Sequence, residues 1–322
     1  MASFDRPLPF HAQAAVDKTD TFAHQDSITK MWALRWRDRC SRAEYPFGEA
    51  SVADFDPIFA SLAADFGDDA GALVRDPDGY AARFLPGGAA LARRAEQAEQ
   101  GQKIAEARDL FLRAAAVYRI ARFPVNRSPL GHEAWALGGA AYLRGGAYLD
   151  PPVRETTPKS PPWPTCGYHA LRLAHAHADR LLAVVCHGGA CHYMFDPGWV
   201  AAQDHMEYPF GLAGALAWKF GFRRASDLDK AREEADVEAY AREAKGTFSL
   251  EGGRAGGSCR LLIVNGLEDS VFPIEDSWLV ASRGRPKEVR LLEDRRHMGN
   301  PGRDEITVEW ASEVVKQADG RS

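Results

Sequence analysis

Long apolar runs are missing from this sequence of 322 residues. No stretch approaches the roughly 20 apolar residues that cross a bilayer. The segment from Met1 to Asp20 is polar and broken by proline, without the apolar centre of a signal peptide. Cysteine is scarce and scattered: Cys40, Cys166, Cys186, Cys191 and Cys259 make an odd set of five. That excludes the disulfide framework of small secreted domains and implies reduced thiols. Net charge is −5, and no Lys/Arg stripe supplies the field that neutralises nucleic-acid phosphates. Together these absences predict a cytoplasmic protein with neither a membrane nor a nucleic acid as partner.

What is present is an apolar content of 45%, enough for about two modest domains. Residues 1–25 read as a flexible tail. From Ser27 to Leu149 the text is helical and rich in alanine, with turns at Tyr45-Pro46-Phe47-Gly48 and Asp76-Pro77-Asp78-Gly79. A helical stretch is expected from Gly88 to Ala121, split into a hairpin at Gly101. In it Ala107, Leu110, Phe111, Ala114, Val117, Tyr118 and Ala121 recur every three or four residues and share a buried face. A glycine-weakened helix is expected over Gly138–Leu149. The aromatics Trp32, Trp36, Tyr45, Phe47, Phe111 and Tyr118 read as core rather than as a substrate box.

After Asp150 the pattern changes. A proline-dense run, Thr157-Pro-Lys-Ser-Pro-Pro-Trp-Pro164, forbids helix and central strand alike. A helix is expected over Gly167–His177, then strands at Leu181–Val185, Arg260–Val264 and Glu288–Leu292. A helical excursion from Pro197 to about Lys245 and a closing helix over Thr307–Gln317 complete the pattern. Continuous apolar runs alternating with helices predict an α/β fold with a parallel sheet and functional loops at the strands' carboxyl ends. The expected organisation is 1–25 tail, 26–150 helical domain and 151–322 α/β domain.

Two loop residues carry the chemistry. Asp269 lies just past one strand and His297 just past the next. A carboxylate and a histidine on consecutive strand ends can pair, the acid fixing the tautomer of an imidazole that acts as general base. A turn-capping aspartate beside an ordinary loop histidine would show the same spacing. His187, His192 and Tyr193, in the loop after the Leu181–Val185 strand, are expected to line a substrate pocket. Cys166, His169, His175, His177, Cys186, His187, Cys191 and His192 lack the paired ligand modules of a zinc site. No metal and no organic cofactor are expected.

Several motifs then fall in a fixed order. Trp36-Arg-Asp-Arg-Cys40, Tyr45-Pro-Phe47, Asp54-Phe-Asp-Pro-Ile-Phe59 and the run from Phe111 to Pro124 resemble the cap of yellowish-green-type hydrolases of fungal pigment pathways. His175-Ala-His-Ala-Asp-Arg-Leu-Leu182, Cys191-His-Tyr193, Glu207-Tyr-Pro-Phe210, Asn265-Gly266, Pro273-Ile-Glu-Asp276 and His297-Met-Gly299 resemble the same family further on. The resemblance implies an α/β-hydrolase with an N-terminal helical cap, related to capped esterases and dihydropseudooxynicotine hydrolases. It implies a serine-type enzyme that shortens a polyketide by hydrolysing a carbon–carbon bond, or cleaves a polyketide ester, in pigment or melanin-like biosynthesis. Asp269 would be the triad acid and His297 the triad base. The implied partner is a small-molecule polyketide, and a homodimer is compatible with the reading.

One part of the family pattern is absent. A Gly-x-Ser-x-Gly elbow is expected before the helix that begins near Gly167, where this chain reads Pro162-Trp-Pro-Thr-Cys-Gly-Tyr168. Thr165 and Cys166 are weak candidates for the nucleophile, since neither neighbourhood has the glycines of a strained elbow, and Ser160, between lysine and proline, fares no better. The text between Val153 and Cys166 falls short of the family by on the order of 80 residues, counted at about 30 per βαβ unit. The central sheet is therefore expected to be incomplete, with the Leu181–Val185 strand as an open edge. A catalytically inactive relative and a general esterase or lactonase are the alternatives this opens.

Overall fold

A computed structural model describes residues 26–153, 166–202, 211–225, 233–250, 258–282, 287–300 and 302–320. The tail 1–25, the proline-rich run and the Glu207–Phe210 motif lie outside them. The described residues form two compact units, 26–153 in one and 166–202 with 212–320 in the other.

The first unit is helical. Its longer helices are α1 (Val52–Asp65), α2 (Leu85–Gln100), α3 (Ile104–Ala121) and α4 (Pro129–Gly146). Phe55, Ile58, Phe59 and Leu62, at helical spacing, bury one face of α1. Gly101 closes α2, as its place in the pattern predicts. The whole predicted face of α3 is buried, and Leu112, Ala115, Ala116 and Ile120 are buried as well, so α3 is enclosed on most sides. The fourth helix starts nine residues before the expected Gly138. Ser128 caps it by accepting the Gly131 N–H at 3.1 Å, and Pro129 fits its first position.

Aromatic rings fill the helical core. Trp32 stacks on Phe59 at 4.4 Å, and Trp36 and Phe55 meet Phe47 edge-on at 5.4 and 5.1 Å. Of the six aromatics assigned to the core, only Tyr45 is exposed. Arg113 grips Asp54 with two hydrogen bonds of 2.6 and 2.9 Å, tying α3 to α1.

The second unit is α/β. It comprises α5 (Cys166–Ala176), β1 (Ala183–His187), α6 (Leu212–Lys219), β2 (Arg223–Ala225), β3 (Glu233–Ala235), α7 (Val237–Phe248), β4 (Arg260–Gly266), α8 (Ile274–Ala281), β5 (Lys287–Leu292) and α9 (Arg303–Ala318). Among the described residues the parallel sheet has three strands in the order β1-β4-β5, with Val185 opposite Leu262 and Ile263 opposite Val289. β4 is central and buried on both faces. Leu261 and Ile263 pack with Leu171 and Leu279 on one side, and Leu262 and Val264 pack with Trp310 and Val314 on the other.

Two expectations need correction. The first strand runs two residues later than predicted, because the Leu181 N–H still donates to His177 O in the turn closing α5. The excursion expected to be helical throughout contains an antiparallel pair, β2 with β3. Cross-strand ion pairs join them: Arg224 meets Glu234 at 2.5 Å and Arg223 meets Glu233 at 3.4 Å.

Candidate functional site

The site is built at the carboxyl ends of the parallel strands. β4 ends in Asn265-Gly266, and the chain turns at once into Leu267–Asp269. β5 ends at Leu292, and the following turn reaches a short 3-10 segment, His297–Gly299. Two glycines let these segments meet. A Cβ on Gly266 would stand 2.1 and 2.2 Å from the carbonyl oxygens of Arg295 and Arg296, so no larger residue allows that approach. Gly188, with φ +55°, faces His297: a Cβ there would lie 2.7 Å from Cε1 and 2.9 Å from Nδ1 of the imidazole.

The result is a connected polar network. His297 Nδ1 lies 3.0 Å from Asp269 Oδ2. Asp269 is fully buried, and Oδ2 also accepts from Asn265 Nδ2 at 2.8 Å. Its other oxygen accepts the backbone N–H groups of Val271 and Phe272 at 2.8 and 3.1 Å. The carboxylate is therefore held on three sides before it meets the imidazole. Asn265 reaches both partners, since its Oδ1 accepts from Met298 N at 3.0 Å. Met298 takes a left-handed φ of 68°, a strained geometry for a long side chain that this hydrogen bond helps to hold. The Phe272 ring stands edge-on to the imidazole at 5.3 Å.

A carboxylate only accepts, so Nδ1 carries the imidazole proton and Nε2 is the basic nitrogen. Such a pair can take a proton from a hydroxyl, a thiol or a water and return it to a leaving group.

No protein-family model matches this chain, and no curated protein matches it by sequence. Two solved structures are similar in their course. The protein titled AbyA5 is 16% identical with a TM-score of 0.48, covering 72% of this chain and 88% of its own. A structure titled 2,6-dihydroxy-pseudo-oxynicotine hydrolase is 11% identical with a TM-score of 0.49, covering 74% of this chain and 88% of its own.

The three residues expected in a pocket take two places. His187 ends β1 on the face turned to α9, where its Nε2 lies 2.8 Å from Thr307 Oγ1. That hydroxyl donates to Arg303 O, so it accepts from the imidazole. Burial, with the charge of Arg303, pulls His187 below the usual histidine range and keeps it neutral. His192 and Tyr193 are buried around Asp276, in the first turn of α8. Asp276 accepts the backbone N–H groups of His192, Tyr193 and Met194 at 2.8, 2.9 and 3.0 Å. The His192 ring bonds Ser249 Oγ at 2.6 Å.

Thr165 lies outside the described residues, and Cys166 opens α5. The next residue locates that helix end: a Cβ on Gly167 would be 2.6 Å from Gly189 Cα and 3.3 Å from His187 O. The start of α5 and the His297 ring thus both rest on the turn 187–189.

Sequence reasoning named Asp269 and His297 and missed the residues that hold them. Asn265, between a buried strand and a glycine, is the residue a strand-end search for polar groups could have found. Gly188 and Phe272 carry no such signal, because their role is contact with a residue distant in sequence.

Proposed function

We propose that this chain is a hydrolase of the α/β-hydrolase type in which Asp269 and His297 work as the acid–base pair. The observation that carries the reading is the 3.0 Å contact between His297 Nδ1 and a fully buried Asp269 on neighbouring strand ends. In this reading Nε2 takes the proton of a nucleophile as it attacks a carbonyl carbon. The proton then passes to the leaving group, an alkoxide in an ester or an enolate carbon in a β-dicarbonyl. Water repeats the sequence to release the acid.

Thr165 and Cys166 are the groups proposed to supply the nucleophile. Gly167 beside them rests on the turn whose Gly188 abuts His297. The substrate proposed is a small polyketide with a β-dicarbonyl or ester group, on the motif resemblance running from Trp36 to Gly299. A homodimer is proposed on the same ground, and a cytoplasmic location on the scattered cysteines and the lack of long apolar runs. His187, His192 and Tyr193 are proposed to shape the substrate site through the turn they belong to.

The test is a panel of aryl esters and β-diketones assayed with the parent chain and with His297→Ala, Asp269→Asn, Cys166→Ala and Thr165→Val. Turnover that collapses in the first two variants and in one of the last two supports the reading. Turnover that survives His297→Ala removes it.

A second reading, a folded relative without catalysis, is favoured by the missing Gly-x-Ser-x-Gly before α5. It predicts no turnover of either substrate class and no labelling by fluorophosphonate or iodoacetamide at residues 165–166. Ester turnover without β-diketone cleavage would instead identify a general esterase or lactonase.

A further inference from the structure

The helical unit carries a groove of about 210 Å³ between α3 and α4. Arg119 and Arg122 line it from the end of α3, and Trp135, Gly138, Gly139 and Tyr142 line it from α4. The α4 residues stand at positions i, i+3, i+4 and i+7, so they form a single stripe. Trp135 is 47% exposed and Tyr142 37%, whereas Trp32 and Trp36 of the same unit are buried. Two large rings thus remain at the surface of a unit whose other tryptophans fill its core.

We propose that this groove binds a planar aromatic anion, an aryl carboxylate of one or two rings. Size sets the ring count, since a cavity of about 150 Å³ admits benzene. Charge sets the sign: two arginines line the groove and, among the described residues, no carboxylate does. The Arg122 guanidinium lies over the Trp135 ring at 4.1 Å. Stacking engages the face of a guanidinium while carboxylate recognition engages its edge, so one arginine serves both. Arg119 is fixed as a wall. Its Nε donates to Pro46 O at 2.7 Å, its Nη2 donates to Gly48 O, and Glu49 draws on the same Nη2 from 3.4 Å.

The two glycines separate packing from binding. A Cβ on Gly138 would come within 3.1 Å of Tyr118 Cβ, so the contact of α4 with α3 accounts for that residue. A Cβ on Gly139 would meet nothing within 4 Å. Packing does not account for a glycine there, in mid-helix where the residue type is unfavourable. An open groove does, because a side chain at 139 would occupy it.

The groove is lined by residues of the helical unit alone. Calorimetric titration of the full chain with 2-naphthoate should give a Kd of about 0.1–1 mM, the range for a ligand of this size. The uncharged 2-naphthylmethanol should bind about fivefold or more weakly, and Arg122→Gln should weaken naphthoate about fivefold while leaving the alcohol unchanged. Gly139→Leu, which fills the groove from an open position, and Trp135→Ala should each weaken naphthoate about tenfold or more, with the circular dichroism unaltered. The proposal is overturned by the absence of saturable binding, by equal binding of the alcohol, or by undiminished affinity in both Gly139→Leu and Trp135→Ala. Loss of binding in His297→Ala would place the ligand elsewhere and overturn it as well.

Discussion

Buried polarity divides unevenly between the two units. Among the described residues, Ser128 is the buried polar side chain of the helical unit, where it caps α4. The α/β unit buries His192, Ser258, Asn265, Asp269, Ser270, Glu275, Asp276 and Ser277. One core is held by ring contacts among Trp32, Phe47, Phe55 and Phe59; the other accommodates carboxylates by surrounding each with donors. Burying a carboxylate is costly unless it is fully hydrogen-bonded. Most of these groups gather after β4, where the loop and the first turn of α8 hold Asp269 and Asp276. The contrast teaches that the helical unit is built for packing, and that the α/β unit concentrates its expensive groups where the chemistry is proposed.

The largest effect expected from this division is on turnover. His297→Ala should lower ester or β-diketone hydrolysis about 10³–10⁴-fold. Because Asp269 keeps its hydrogen bonds to Asn265, Val271 and Phe272, the chain should stay folded at a cost of about 1–2 kcal/mol. Phe59→Ala in the helical core should do the reverse, costing about 3–5 kcal/mol in urea unfolding. If the two variants exchange these signatures, the comparison fails.

A smaller effect separates the cores by pH. Burial pushes the Asp276 carboxyl up to about 6, outweighing its backbone N–H partners, which favour the ionised form. Between about pH 4 and 6 the folded chain then keeps a proton that the unfolded chain, with its ordinary aspartate, has released. The contribution of Asp276 to stability should therefore fall as pH rises through that window, by up to about 3 kcal/mol, and level off above it. Urea titrations across the window should show the slope in the parent and lose most of it in Asp276→Asn. Phe59→Leu, a volume change in the other core, should leave the slope intact.

The smallest effect sharpens the contrast at two glycines. Gly139→Ala should raise the melting temperature through a gain of about 0.5–1 kcal/mol, since its new methyl meets open space. Gly188→Ala should destabilise the chain and cut turnover, because its methyl strikes the His297 ring from a left-handed backbone. Melting curves of the pair, measured side by side, check both signs.

These elements also show how far the sequence could be read. The α3 face and β4 were legible because their patterns are long and governed by burial. The break at Gly101 was legible because a single residue decides it. β2 and β3 were not, because three-residue strands carry no periodicity. The start of α4 was missed although Ser128-Pro129 announces it, because the glycines further along drew attention to its weak end. At the site, Asp269 and His297 could be singled out from their places after two apolar runs, and the resemblance implied their roles. The contact between them depends on Gly266 admitting two carbonyl groups, and no local pattern encodes that.

The sheet register bears on how the chain is made. Helices α1 to α4 draw on neighbours close in sequence and can form as they leave the ribosome. Ala183 of β1 pairs with Arg260 of β4. At about 5–20 residues per second, a finished β1 waits roughly 4–15 s for its partner to be synthesised. During that interval Val184, Val185 and Cys186 have neither ladder nor covering strand, and it is the newborn chain that most needs a chaperone.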